Sequence, residues 1–282
     1  MIEKISYKLF GKLVDPYTDY FDALRLQLKH ARMKYSVEEY VSMILFSSLL
    51  AFIVVILAGS FYITITTSYA FYSYTLSIVL SIVAAGGTFA VGYLYPNMKA
   101  KGIQNKINKT LPFSVIYMAT AASSDVNPAD LFKIVSLKGG EIGKECERIY
   151  RDIHMLGMDV STAITKAANR TPSAKFSELL WGMLSVIRRG GDMGEYLSEK
   201  AKEFMGDYRR SLNDYSKQIS FYTEIYITLI IVGTLFFIVL SSIMSPLVGG
   251  DVLMIQTFLV FFFIPLISVG FLVLLKSLSP EG

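Results

Sequence analysis

The chain has 282 residues, 53% of them hydrophobic, and its 27 Lys and Arg against 23 Asp and Glu leave a net charge of +4. It is too apolar for a soluble domain of this length, so the surplus must lie outside a core, and so mild a charge gives no basis for nucleic-acid binding. One cysteine, Cys146, excludes an internal disulfide and a thiolate metal cluster; two scattered histidines, His30 and His154, are too few for a conventional histidine metal site.

At the N-terminus, Lys4 and Lys8 and recurring polar residues precede any long apolar run, a pattern unlike a cleavable signal peptide. Asp15-Pro16 then reads as a helix cap followed by a first-turn proline. Tyr17, Tyr20, Phe21, Leu24, Leu28, Ala31 and Tyr35 form the apolar face of that helix, with Arg25, Lys29 and Arg32 mainly off it. A basic amphipathic helix of this kind lies either on anionic membrane lipid or on the central bundle. Ser36 and Glu39 form a capping box that launches the first long apolar segment.

Four segments are long and apolar enough to cross a bilayer: about 41–63, 75–95, 221–244 and 252–275. Each must be helical, because lipid offers the backbone no hydrogen-bond partner. They form two pairs, joined by the short loops 64–74 and 245–251. Residues 1–40 carry 7 Lys and Arg, residues 97–219 carry 19, and Lys276 is the last; the two loops carry none. That partition predicts a cytoplasmic N-terminus, central segment and C-terminus, with both loops outside. Tyr62, Tyr69, Tyr72 and Tyr74 fit the outer rim of an aromatic belt, and Tyr40, Tyr93, Tyr95, Tyr222 and Tyr226 the inner one. Glu224 is the one ionisable group, about a turn into the third span; it reads as an interfacial carboxylate reaching water or Lys217 rather than as a proton relay. Pro265 is expected to kink the fourth span, and Gly86 and Gly87 to allow close helix packing.

The central segment, 97–219, is domain-sized and reads as about six helices. Leu111–Ser124 is the first. Asn127 caps the second, with Pro128 at its first position, and Gly139-Gly140 ends it. Glu141–Leu156 is the third, ended by Gly157. Asp159 caps the fourth, through about Asn169. Thr171-Pro172 starts the fifth, through Arg189; Gly190-Gly191 ends it, and Asp192 with Glu195 opens the sixth, which runs on towards the third span. Phe176, Leu179, Leu180, Met183 and Ile187 make one core stripe, and Ile149, Ile153 and Leu156 another. The segments Asp159–Ile164 and Asp192–Leu197 resemble each other, each preceded by glycine; the residues Gly157, Asp159, Gly190, Gly191 and Asp192 thus build a repeated structural corner. Asp125–Pro128 is a looser third copy.

A search for chemistry yields no catalytic, cofactor or metal residues. Gly139–Glu145 superficially resembles a phosphate-binding loop, but it is one residue short, has Glu145 where a metal-binding hydroxyl is needed, and follows a helix. No intramembrane aspartate pair exists, and neither histidine has a triad context. Arg188-Arg189 and Arg209-Arg210 are the densest basic pairs; they read either as solvated surface or as contacts for an acidic partner.

The order of these features between paired spans resembles the F family of type II secretion and type IV filament systems, the membrane platform proteins of pilus and archaellum assembly. Ala31-Arg32-Met33-Lys34-Tyr35-Ser36-Val37-Glu38-Glu39-Tyr40 before the first span is similar to the archaeal branch. Leu111-Pro112 opens the cytoplasmic module as in other members. Gly157-Met158-Asp159-Val160-Ser161, Arg189-Gly190-Gly191-Asp192-Met193 and Tyr196-Leu197 are similar to the family's repeated corners. The likeness extends over about residues 20–275. It implies an all-α, polytopic membrane protein with no enzymatic activity and no cofactor. Its organisation would be a cytoplasmic N-terminal region (1–40), a first transmembrane hairpin (41–96), a helical-bundle module (97–219) and a second hairpin with a short tail (220–282). Implied partners are a cytoplasmic assembly ATPase and pilin-like subunits. With one module and four spans, the chain is similar to the short platform proteins of tight-adherence systems, which implies a homo- or hetero-oligomer with a second platform protein. The alternative from another class is a transporter or channel with a cytoplasmic regulatory domain; that reading calls for polar, broken or charged spans at the midplane, whereas these are nearly all apolar.

Overall fold

A computed structural model describes residues 6–7, 9–11, 14, 21–66, 70–124, 126–248 and 252–278 of the chain. The regular elements among them are helices, with no strand, and they fall into two compact units, Met1–Ser198 and Glu199–Gly282. Four helices are long and apolar enough to cross a membrane, and the protein is an all-α polytopic membrane protein. The cap at Asp15-Pro16, the apolar positions Tyr17 and Tyr20, Tyr69, Asp125 and the loop residues 249–251 lie outside the described residues, as do the side chains of Tyr62, Tyr72 and Tyr74.

In the first unit, α1 (Asp22–His30) precedes two long helices, α2 (Val37–Thr66) and α3 (Ala70–Ala122). Leu24, Leu28 and Ala31 of the predicted apolar face are buried. What they meet is the foot of the first two spans: Leu24 and Leu28 share a core with Val37, Tyr40, Val41 and Ile44, and Phe21 makes an edge contact with Tyr93. The capping box forms as expected, with Ser36 N donating to Glu39 Oε2 (3.0 Å) and Glu39 N to Ser36 Oγ (3.2 Å).

The sequence places a break between the second span and the first bundle helix; the structure has none. Leu111–Ser124 is not a separate helix, and Leu111-Pro112 opens nothing: α3 continues from the span through Pro96 and Pro112. An internal proline costs roughly 3 kcal/mol. Ile107, Leu111, Val115 and Met118 are all buried on one face, and burying each contributes about 1.5–3 kcal/mol, so packing outweighs the break. Close helix approach occurs at other glycines than expected. A Cβ on Gly86 or Gly87 would meet nothing within 4 Å, whereas one on Gly92 would lie 3.0 Å from the Ile44 side chain. The Gly92 carbonyl also accepts from the Tyr40 hydroxyl (2.8 Å).

Four shorter helices follow: α4 (Pro128–Ser136), α5 (Gly140–His154), α6 (Val160–Ala168) and α7 (Ala174–Arg189). Asn127 caps α4 through Ala129 N (3.0 Å) and Asp159 caps α6 through Ser161 N (2.9 Å). The cap of α7 is Ser173, whose Oγ accepts from Phe176 N (3.1 Å), rather than Thr171, two residues earlier. Phe176, Leu179, Leu180 and Met183 are fully buried. Leu156 departs from its predicted stripe and is exposed, because α5 stops at His154 and leaves it in the following turn.

The last helix to start in this unit, α8 (Met193–Tyr226), runs on into the third span, as expected. There a π-helical turn, Ile227–Val232, leads into α9 (Gly233–Val248). The fourth span comprises α10 (Val252–Phe258), a second π-helical turn (Leu259–Phe263) and α11 (Ile264–Leu278), with Pro265 just after that turn. Tyr226 joins the two spans of the second unit: its hydroxyl bonds Ser268 Oγ (2.7 Å) and its ring stacks on Phe271. Further along, Gln256 Nε2 donates to Ser241 Oγ (2.6 Å).

Candidate functional site: a buried charge network at the foot of the first span

Helix α1 ends in a tight reversal. Met33 N donates to Leu28 O (3.0 Å) and Arg32 N to Lys29 O (3.2 Å), the paired bonds of a Schellman turn. The residue at the left-handed position of such a turn is normally glycine; here it is Arg32, with φ of 55°. This conformation is strained for an arginine. It also aims the side chain away from the span and onto α5 of the bundle.

There Arg32 meets two carboxylates one helical turn apart. Its Nε and Nη2 donate to Glu145 Oε1 (3.0 and 2.7 Å), and its Nη1 pairs with Glu141. Glu145 is only 1% exposed, so it cannot stay charged without partners. It has three: Arg32, Arg148 (3.4 Å) and, at Oε2, Arg170 from the turn after α6 (3.2 Å). Arg170 and Lys166 also reach Asp152, two turns further along α5 (3.8 and 3.2 Å). Lys144 closes the other end on Glu141 (2.8 Å).

The electrostatics reflect this crowding. The Glu141 carboxyl is held below its usual value, first by the hydrogen bond from Lys144 and further by the charge of Arg32, although partial burial opposes this. The Arg148 guanidinium titrates below its usual value, chiefly from burial, with Arg32, Arg170 and Arg151 adding repulsion. Next to Glu145, burial pushes the Cys146 thiol far up and leaves it inert. Arg170 Nε is buried without a hydrogen-bond partner.

Among the described residues no cluster of His, Cys, Asp and Glu fits a metal ion. The network joins the turn after α1 to α5 through ion pairs. Two carboxylates on one helix, Glu141 and Glu145, hold a residue five positions before the first span. In the sequence, Gly139–Glu145 looks like an imperfect phosphate loop; in the structure Gly139 and Gly140, both at positive φ, turn the chain into α5 and present Glu141 and Glu145 to Arg32. Half of the signal for the site was present in the sequence. Glu145 and Asp152 share the α5 face of Cys146 and Ile149, and charges on a core face need buried partners.

The predicted corners form where expected. Gly157 and Gly190 have φ of 64° and 68°, and Asp192 Oδ1 accepts from Gly194 N (2.7 Å) and Glu195 N (3.1 Å). Gly191 has no left-handed φ; its N–H bonds Val186 O (3.1 Å). Arg188 and Arg189 are exposed in the last turn of α7, while Arg209 and Arg210 are exposed on α8, Arg210 paired with Asp207. The two pairs belong to different units. Glu224 lies on α8 and makes no ion pair with Lys217 among the described residues.

Residues 115–241 match the family model of type II secretion system protein F. The chain is 26% identical over 228 residues to flagella accessory protein J of Methanocaldococcus jannaschii, covering 80% of this chain and 39% of that protein. It is 24% identical over 202 residues to an uncharacterized protein of the same organism, covering 68% and 34%. With flagella accessory protein J of Methanococcus voltae it shares 26% over 195 residues, covering 67% and 33%. The chain therefore spans only a third to two fifths of the length of these curated relatives. No solved structure matches it.

Proposed function

We propose that the chain, whose residues 115–241 match the family model of type II secretion system protein F, is a noncatalytic membrane platform of a type IV filament or secretion machine, of the archaellum-like kind. It couples a cytoplasmic assembly ATPase to the insertion of pilin-like subunits. Both termini and the helical module between the span pairs are cytoplasmic, and the platform works with a second copy or a second platform protein.

One observation carries this reading: α3 and α8, which bound the helical module in sequence, are each a single unbroken helix from span to module. A helix transmits displacement along its axis, so force applied to the module reaches the membrane without a flexible linker. The Arg32 network supports the same reading, because it ties the foot of the first span to α5.

Arg188, Arg189, Arg209 and Arg210 contribute the ATPase contact. Lipid phosphate is the competing ligand, and distance disfavours it for the second pair. Arg210 precedes the apolar run at Phe221 by eleven residues, about 16 Å of helix, against a headgroup layer only about 5–8 Å deep. The test is to measure binding of the cognate ATPase to the full-length chain in nanodiscs across a salt series. Charge reversal at either arginine pair is expected to weaken binding most at low salt. Equal affinity at every salt would remove these arginines from the interface. Absence of ATPase binding, with and without a second platform subunit, would overturn the platform reading.

A further inference from the structure

Where α8 becomes the third span it has two different faces. Tyr222, Tyr226 and Leu229 line a groove with Ile267, Gly270 and Phe271 of α11. The other face carries a recess of about 510 Å³ lined by Ile219, Ser220, Thr223, Glu224, Ile227 and Thr228. Glu224 lies two residues from Tyr226, about 200° around the helix, so it faces away from the fourth span. It is exposed, about one turn past Phe221, where the apolar run begins. Lys217 lies seven residues back on the same side, about 10 Å along the axis, and makes no pair with Glu224 among the described residues. Hydroxyls surround the carboxylate. Ser220 Oγ donates to Ser216 O (3.0 Å), which leaves its own lone pairs to accept. Thr228 belongs to the π-helical turn Ile227–Val232, and such turns inside α-helices frequently mark functional sites.

We propose that this face of α8 receives a lysine or arginine side chain carried by an apolar helix of another membrane protein. A carboxylate within a span is costly until a positive group meets it, and ionisable residues there pair with one another. Glu224 offers two charged oxygens, and Ser220, Thr223 and Thr228 a hydroxyl oxygen each, enough acceptors for the three donors of an ammonium or for a guanidinium. Ile219 and Ile227 supply the apolar contact for the helix that bears it. Charge disfavours a second copy of this chain. Two copies related by an axis along the membrane normal hold equal residues at equal depth, so Glu224 would meet its own counterpart. Charge disfavours lipid as well. A zwitterionic headgroup brings a phosphate beside the carboxylate together with its amine, and an anionic one brings no cation. The occupant is therefore a different chain with a basic residue within or at the edge of a span. This face is distinct from the arginine pairs and does not depend on the ATPase.

The test uses the full-length chain in its native membrane with a photo-crosslinking amino acid at Ile227, which is 47% exposed and lines the same recess. Irradiation is expected to join it to a different membrane protein, within an apolar segment of about twenty residues that carries a lysine or arginine. Glu224→Gln keeps the shape and removes the charge; it is expected to reduce the adduct about tenfold. The thermal midpoint of the purified variant should be unchanged, since Glu224 has no ion pair to lose among the described residues. Glu224→Asp is expected to retain most of the adduct and Lys217→Gln all of it. Exchanging the charges, with Glu224→Lys against glutamate at the basic position of the captured protein, is expected to restore it. Adducts to lipid or to a second copy overturn the proposal. So does an adduct that survives Glu224→Gln, one lost with Lys217→Gln, or one whose peptide has no basic residue. A lowered midpoint for Glu224→Gln overturns it too, as does the absence of any adduct with the crosslinker at Ile227 and at Ile219 alike.

Discussion

Glu145 and Arg32 show how much one buried charge constrains its surroundings. Removing a partner from a buried pair leaves the other charge uncompensated, at a cost of about 3–5 kcal/mol. Glu145→Ala should therefore lower the thermal midpoint of the purified chain far more than Glu147→Ala, on the exposed face of the same helix. Arg32 contributes charge and also bears backbone strain, and two substitutions separate the terms. Arg32→Ala and Arg32→Gly both delete the guanidinium, but only alanine keeps a Cβ at the left-handed φ. The glycine variant should be more stable by about 1 kcal/mol; equal midpoints would mean that the turn relaxes once the charge is gone. Acid titration reads the same joint. Glu141 has a folded value below its usual 4.5, so its contribution is complete above 4.5 and is lost as pH falls through the lower, folded value. In Lys144→Ala the acid-induced loss of stability should begin at higher pH than in the wild type, closer to 4.5.

At the scale of elements, the corner after α7 depends on a close approach that the sequence did not advertise. A Cβ on Gly182 would lie 1.8 Å from the Tyr196 hydroxyl, which donates to Leu179 O (3.2 Å). Gly182→Ala must displace that ring and is expected to destabilise the fold by about 1–3 kcal/mol. Adding Tyr196→Phe should not restore stability, because the ring edge still lies within 3 Å of the added methyl. The corners themselves were legible, since Asn127, Asp159 and Asp192 are capping residues that start apolar-periodic runs, the latter two just after glycine, a local signal. The fusion of span and bundle helix was not, because Pro112 signals a boundary and only the tertiary burial of Leu111 and Val115 overrides it. The Arg32 pairing was illegible for a related reason. Its partners are more than a hundred residues apart, and the sequence shows the carboxylates on α5 without showing what neutralises them.

For the whole molecule, the uneven distribution of Lys and Arg predicts which parts face which side, and the buried thiol makes the test simple. Cys146 is inaccessible and stays protonated, so native protein gives little background in cysteine labelling. Cysteines introduced at Ser68 and Gly249 should react with an impermeant thiol reagent added outside intact cells, and one at the exposed Ser211 only after permeabilisation. Reaction of Ser211→Cys in intact cells would invert the topology. The unbroken course of α3 has a further consequence, in the angular phase of the molecule. Successive residues of an α-helix are rotated by about 100° and displaced by about 1.5 Å along its axis. One residue inserted at Gly102, exposed and with nothing near its absent Cβ, would swing the bundle end of α3 by over a quarter turn relative to its span and pull Arg32 away from α5. Seven inserted residues make nearly two full turns, restoring the phase to within about 20° while lengthening the stalk by about 10 Å. The stalk of such a protein can therefore change length only in near-whole turns, and homologues of different reach should differ there by about seven, eleven or eighteen residues.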